Sequence, residues 1–303
     1  MFVVTYRKFF YVLSSILIVG SIIATIAWGF NFGIDFKGGT IVEIDYPKSA
    51  YPEGRPAQNV VIAQLNNAAE GLTPVLQPTG DTGYIIRMRN VTQPEKVAIE
   101  SSLSISSSTV QEKQFDSIGP VLGAEAAQSS LISILCVVFA IVLFIAYAFR
   151  QVSKPISSWK YGIVAIIALI HDVIIPTGIF VVLGHFKGYE IDTLFVTALL
   201  VVLGFSVHDT IVVFDRVREN LRHAPARKPF DQIVGESISQ TFTRSINTSL
   251  TTLLALIVLY FLGGEATQHF SLALIIGIAV GTYCSVFIAS PLLVTIEKWG
   301  SKK

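Results

Sequence analysis

Six stretches of this chain are apolar for long enough to cross a lipid bilayer, and no other feature restricts its fold so severely. A helix rising 1.5 Å per residue needs about 20 apolar residues to cover ~30 Å of hydrocarbon. The stretches run from Phe9 to Gly29, Leu131 to Tyr147, Tyr161 to Leu183, Ile191 to Phe214, Ile246 to Leu262 and Phe270 to Leu293. The composition agrees, with 52% apolar and only 14% charged residues, against about 25% charged in soluble domains. Arg7 and Lys8 before the first stretch give it the look of a signal peptide. Its apolar run exceeds the roughly 7 to 15 residues of such a segment, so a retained anchor is predicted.

Charge placement then sets the orientation. The net charge of +1, from 22 basic and 21 acidic residues, leaves no bulk positive field to draw the chain onto nucleic acid. Lys and Arg accumulate in short cytoplasmic loops because they resist translocation. Arg7 and Lys8 place the N-terminus inside. Counting spans forward puts Arg150, Lys154 and Lys160 inside, then Arg216, Arg218, Arg222, Arg227, Lys228 and Arg244, and finally Lys298, Lys302 and Lys303. The two short outside loops hold only Lys187. Three regions follow: residues 1–29 with the first span, an extracytoplasmic domain over 30–128, and 129–303 with five spans and their cytoplasmic loops.

The 30–128 segment is punctuated by turns and reads as strand (Thr40 to Tyr46), helix (Gln58 to Ala69), two strands (Pro74 to Pro78, Tyr84 to Met88), helix (Pro94 to Leu103) and a last strand (Thr109 to Phe115). That order is the one of an α+β ferredoxin-like domain. Ahead of it, Gly33 to Thr40 spaces glycines like a phosphate-binding loop, but Gly39 stands where the lysine belongs and no strand precedes it. A glycine-rich turn, with positive φ at one or more of its glycines, explains Gly33, Asp35, Gly38 and Gly39 better. Cys136 and Cys284 lie in apolar runs and read as small buried hydrophobes, not as a disulfide. After the fourth span, Phe230, Ile233, Val234, Ile238 and Phe242 share a helical face. It suits a helix lying along the cytoplasmic leaflet or one packed on the ends of the spans.

Charges inside the spans are costly and carry the functional argument. Asp172 is near the middle of the third span, where an Asp costs about 2.5–3.5 kcal/mol on insertion scales. Asp209 is about 27 Å along the fourth span from Ile191, near its cytoplasmic edge. Arg244 opens the fifth span at similar depth, either as a partner for Asp209 or as an anchor snorkelling to the headgroups. Ser206, His208 and Thr210 flank Asp209, and Asn247, Thr248, Ser249, Thr251 and Thr252 crowd the start of the fifth span, so together they are candidates to line a wet path. The dipeptides His171-Asp172 and His208-Asp209 do not make a metal centre, because adjacent residues on a helix point about 100° apart. Proton relay by Asp, with the histidines as modulators or interior filler, suits the positions better. Gly277, Gly281, Ser285 and Ala289 form a strip of small residues that admits a close neighbour, in this chain or another.

These residues resemble a known family. GIDFKGGT from Gly33, Ile118-Gly119-Pro120, Ala168 to Asp172, Leu203 to Asn220, Thr243-Arg244 before Thr248 to Leu253, and Gly277 to Leu292 are similar to motifs of the SecF family of bacterial Sec protein-export subunits, nearly end to end. The resemblance implies a multi-pass α-helical protein of the resistance-nodulation-division superfamily in the bacterial cytoplasmic membrane, pairing with SecD as half of a twelve-span unit. It implies use of the proton-motive force, with sodium as the other ion the sequence allows, to help a translocating polypeptide through SecYEG. Asp209 would be the titrating carboxylate and Arg244 its polar partner, with Asp172 less defined. His208 departs from the family motif, which carries Asn there, and so bears on the titration of Asp209.

The rival expectations are a half-transporter for small-molecule or lipid efflux, and a scaffold in which Asp209 is structural. An external domain of about 100 residues offers little room for an efflux pocket unless a partner adds to it. No nucleophile and base constellation or closed metal set is evident, so neither an enzyme nor a cofactor is expected.

Overall fold

A computed structural model describes residues 2–105, 109–149, 158–225 and 228–300 of this chain. Arg150, Lys154, Arg227, Lys302 and Lys303, used above for orientation, lie outside them. In chain order the elements are α1 (Phe2–Thr5), α2 (Arg7–Trp28), α3 (Ile34–Lys37), β1 (Gly39–Asp45), α4 (Gln58–Ala68), β2 (Val75–Thr79), β3 (Gly83–Met88), α5 (Gln93–Ser102), β4 (Gln111–Ile118), α6 (Pro120–Ala148), α7 (Ser158–Lys187), α8 (Thr193–His223), α9 (Phe230–Leu262), α10 (Glu265–Cys284), a π-helical segment (Ser285–Ala289) and α11 (Ser290–Gly300). They form two units, one of Phe32–Ser130 and one of Met1–Asn31 with Leu131–Lys303.

In the smaller unit the alternating strands pair antiparallel in the order β2-β3-β1-β4. This is the ferredoxin-like arrangement that the element order predicts. Pro78 has no amide to donate and sits on β2, an edge strand where none is demanded. Val42, Ile44, Ile86, Val61, Leu65 and Ile99 are fully buried where the sheet meets α4 and α5. Helix α5 opens with a capping box, in which Thr92 and Glu95 satisfy each other's backbone amides. The glycine-rich turn is α3, with Gly33 as its N-cap and Asp35 in its first turn, followed by Gly38 at φ +73° and Gly39 at φ +137°. A Cβ on Gly38 would lie 2.9 Å from Pro120 Cα, and one on Gly39 2.9 Å from the Met88 carbonyl. Both glycines are therefore required by backbone conformation and by close approach.

Among the described residues, six helices are long and apolar enough to cross a membrane. The last is continuous from α10 through the π-helical segment into α11. Two differences from the sequence reading concern the segment between the fourth and fifth spans. Helix α8 runs on to His223, and the proposed leaflet helix is the first part of the 33-residue α9. Phe230, Val234 and Ile238 there belong to the main hydrophobic cluster, so that face packs on protein, with Phe242 left exposed. Cys284 is buried as expected, but Cys136 is exposed on α6.

The first span follows a seven-residue seam along α7. Ser14 bonds His171, Ser21 sits where any Cβ on Gly178 would overlap it, and Trp28 stacks on His185 at 4.8 Å. Both sets step by seven in the same direction, so the two helices run parallel with two near-complete turns between contacts.

Candidate functional site

The small-residue strip finds its neighbour inside this chain. A Cβ on Gly277 would overlap Val202, one on Gly281 would approach Ser206 Cβ at 2.9 Å, and Ser285 Oγ donates to Asp209 Oδ2. The strip thus lies on one face of α8 at Val202, Ser206 and Asp209. The absence of side chains lets the helices approach until polar groups on each bond the other.

Two buried carboxylates sit on this seam. Asp209 is 7% exposed and accepts hydrogen bonds from Ser245 of α9 and Ser285 of the π-helical segment. A π-helical turn shifts the phase of the side chains that follow it, and here it begins at the residue that reaches Asp209. One turn further out, Ser249 and Thr282 bond each other at 2.6 Å. Asp172 is fully buried, with its Oδ1 2.9 Å from His171 Nδ1 and its Oδ2 accepting from Ser206. His171 Nε2 lies 3.2 Å from Ser14 Oγ on the first span. Ser206 and Asp209 are three apart on α8 and so lie on the same face, which makes the two centres neighbours.

Several predicted path residues lie elsewhere. Among the described residues no ion pair joins Asp209 to Arg244; the serine hydroxyls hold the carboxylate instead. Arg244 precedes Ser245 by one residue, and the ~100° step between them turns Arg244 to the exposed side of α9. There it lines a cleft of about 550 Å³ with Asp215, Arg216, Arg218, Glu219 and Gln240. His208 is exposed for the same reason, one step from Asp209. Asn247, Thr248 and Thr251 are also exposed, and Thr251 Oγ1 is spent on the Asn247 and Thr248 carbonyls. Thr210 is buried beside Asp209 on α8, and Ser206 serves Asp172.

Sequence reasoning missed Ser14, Ser245 and the polar role of Ser285. The signal for Ser14 was its seven-residue spacing from Ser21; for Ser245 and Ser249 it was a spacing of four toward the same face. His171, Asp172 and Cys284 place donor atoms within 4.8 Å of one another. His171 and Asp172 are already bonded to each other, and the Cys284 thiol donates to the Ala168 carbonyl, so this is a hydrogen-bonded cluster and not a ligand set.

A family model described as "Protein export membrane protein SecD/SecF, C-terminal" matches residues 98–299, and one described as "SecD/SecF GG Motif" matches residues 29–48. The chain belongs to the SecF family. It is 43% identical over 307 residues to the protein translocase subunit SecF of Thermobaculum terrenum, covering 97% of this chain and 93% of that one. It is 36% identical to the SecF subunit of Haemophilus influenzae, covering 93% and 82%. Among solved structures, the crystal structure of SecDF, a translocon-associated membrane protein from Thermus thermophilus, superposes with a TM-score of 0.78 at 27% identity. That match covers 98% of this chain and 38% of the longer SecDF chain. The glycine-rich turn and both carboxylate-bearing helices lie within the matched family segments.

Proposed function

We propose that this chain is the SecF-type accessory subunit of a Sec translocase, pairing with SecD in the bacterial cytoplasmic membrane and using proton flow to drive late steps of export through SecYEG. In this reading both termini are cytoplasmic, the 30–128 domain is outside, and the chain performs no catalysis. The efflux half-transporter is disfavoured, since relatives matched over nearly their whole length are translocase subunits.

The observation that carries the coupling is Asp209, a carboxylate buried in a spanning helix and held by two hydroxyls, with no cation in contact among the described residues. Hydroxyls bond either protonation state, so a proton can arrive or leave without dismantling the site. Its arrival removes the cost of keeping a charge out of water. Moving one charge across 100 mV is worth about 2.3 kcal/mol, enough to bias a two-state motion. We place Arg244 in the same cycle. Because it is about 100° from Ser245, a rotation of α9 exchanges a hydroxyl for a guanidinium at Asp209. Deprotonated Asp209 favours Arg244, and protonated Asp209 favours Ser245. Asp172, three residues' face away through Ser206, is assigned to the same polar core.

Asp209→Asn in proteoliposomes with SecD and SecYEG tests this. The expected result is loss of the gradient-dependent part of export with normal complex assembly. Export at the wild-type, gradient-dependent rate sinks the proposal.

A further inference from the structure

The hydrogen bonds around His171 have directions that can be counted. Tyr283 Oη donates to the Phe10 carbonyl at 3.2 Å, so its oxygen is left to accept from Ser14 Oγ at 3.3 Å. That uses the one hydroxyl proton of Ser14, whose oxygen must then accept from His171 Nε2 at 3.2 Å. Nε2 therefore carries a hydrogen. Across the ring, Nδ1 and Asp172 Oδ1 are 2.9 Å apart, and a second proton is needed there because two lone pairs would repel. Ser206 donates to the other carboxylate oxygen. The complete chain thus demands two protons on the His171–Asp172 pair, one on Nε2 and one shared between Nδ1 and Oδ1, with no net charge.

Removing one proton leaves a charge of −1 and a single ring hydrogen. That hydrogen belongs at Nδ1, facing the carboxylate. Nε2 becomes an acceptor, so Ser14 must turn its hydrogen from Tyr283 to His171, and only one of the two hydrogen bonds that tie Tyr283 of α10 to the first span remains. Ser14, His171 and Asp172 are 4%, 2% and 0% exposed, so no water replaces the lost bond in place. The groups facing the pair are Ser14 from α2, Ser206 from α8, and Tyr283 and Cys284 from α10, with Asp209 three residues beyond Ser206. Among the described residues no Lys or Arg forms an ion pair with Asp172.

We propose that His171 and Asp172 form a second proton-binding site, separate from Asp209, and that release of its proton to water loosens the first span from α10. His171 carries the proton at Nε2, and Ser14 is the residue through which the first span reads it. This rests on the proton-coupled reading above for its use in export, not for its chemistry.

The test uses the SecD complex in lipid, with histidine nitrogens labelled in this chain alone for NMR and with Trp159→Phe and Trp299→Phe leaving Trp28 as this chain's one tryptophan, read as the difference from a complex that also carries Trp28→Phe; Trp28 reports the far end of the first-span seam. His171 is identified as the signal that Ser14→Ala shifts. The expected result is a His171 ring with both nitrogens protonated or sharing a proton at low pH, losing one proton as pH rises, together with a step in Trp28 emission. Ser14→Ala should keep the titration and lose the emission step; His171→Gln should lose both. A His171 ring with one proton throughout overturns the proposal, as does an emission step that survives His171→Gln, which would belong to His185. If His171→Gln fails to assemble, the nitrogen spectrum of the unsubstituted residue decides alone. Loss of gradient-driven export in Asp209→Asn with no titration at His171 would sink this inference and leave the proposed function standing; a titrating His171 with export indifferent to Asp209→Asn would do the reverse.

Discussion

Helices α7, α8 and the last span have 50%, 56% and 61% of their apolar windows buried, whereas α6 and α9 have 6% and 11%. Yet α6 is the most apolar of the six. In water the order would be reversed, because apolar surface drives burial. Lipid tails are as apolar as leucine, so hydropathy marks a helix as compatible with the bilayer and says nothing of which face meets protein. What marks the protein-facing helices here is small and polar residues in register: Gly277, Gly281 and Ser285 against Val202, Ser206 and Asp209, and Ser14 and Ser21 against His171 and Gly178. The bare flank of α6, with Leu135, Phe139 and Leu143 more than half exposed, is left for lipid or another subunit.

This contrast can be broken from either side. The largest effect should come from Asp172→Ala, which strips a fully buried carboxylate from His171 and Ser206. Orphaning a buried partner costs about 3–5 kcal/mol, to be read from unfolding of the chain in detergent; a loss below about 1 kcal/mol would mean that the packed side is not organised around its polar groups. Gly277→Val comes next, since its Cβ would overlap Val202. Overpacking of this kind costs about 1–3 kcal/mol, and the same unfolding assay should show it. On the bare side Phe139→Ala should change the stability of the chain alone by no more than about 0.5 kcal/mol. A loss equal to that of Gly277→Val would erase the distinction between the two sides. The smallest effect lies in the smaller unit, where Arg89 at 2.5 Å and the Thr92 amide hold Glu95 down to a pKa of about 2 from 4.5. A depressed carboxyl stabilises the fold above its ordinary pKa and loses that contribution as pH falls from about 4.5 to about 2. Amide protection at Lys96 should therefore drop over that window, and Glu95→Gln should flatten the response; an unchanged profile in Glu95→Gln would place the acid sensitivity elsewhere.

The legible parts of the sequence were those set by local rules. Span length, strand alternation and helical spacing are one-dimensional signals, and the β2-β3-β1-β4 sheet follows from their order. Asp172 and Asp209 stood out because a carboxylate in hydrocarbon is expensive wherever its helix packs. Their partners were not legible. Arg244 looked right by depth, but depth is only one of two coordinates on a helix. The second, rotation, turned Ser245 inward and left Arg244, Asn247, Thr248 and Thr251 outside.

By itself, then, the sequence determined the six apolar spans, the α+β unit and the two acidic positions within the spans, because length, periodicity and the cost of a buried charge act residue by residue. Only the tertiary structure decided that Asp209 rests on Ser245 and Ser285, that Asp172 rests on His171 and Ser206, and that the first span joins the second centre through Ser14. Those choices depend on the rotation of each helix about its axis, which is fixed by which small residues allow a neighbour to come close, a property of pairs of helices and not of any one segment.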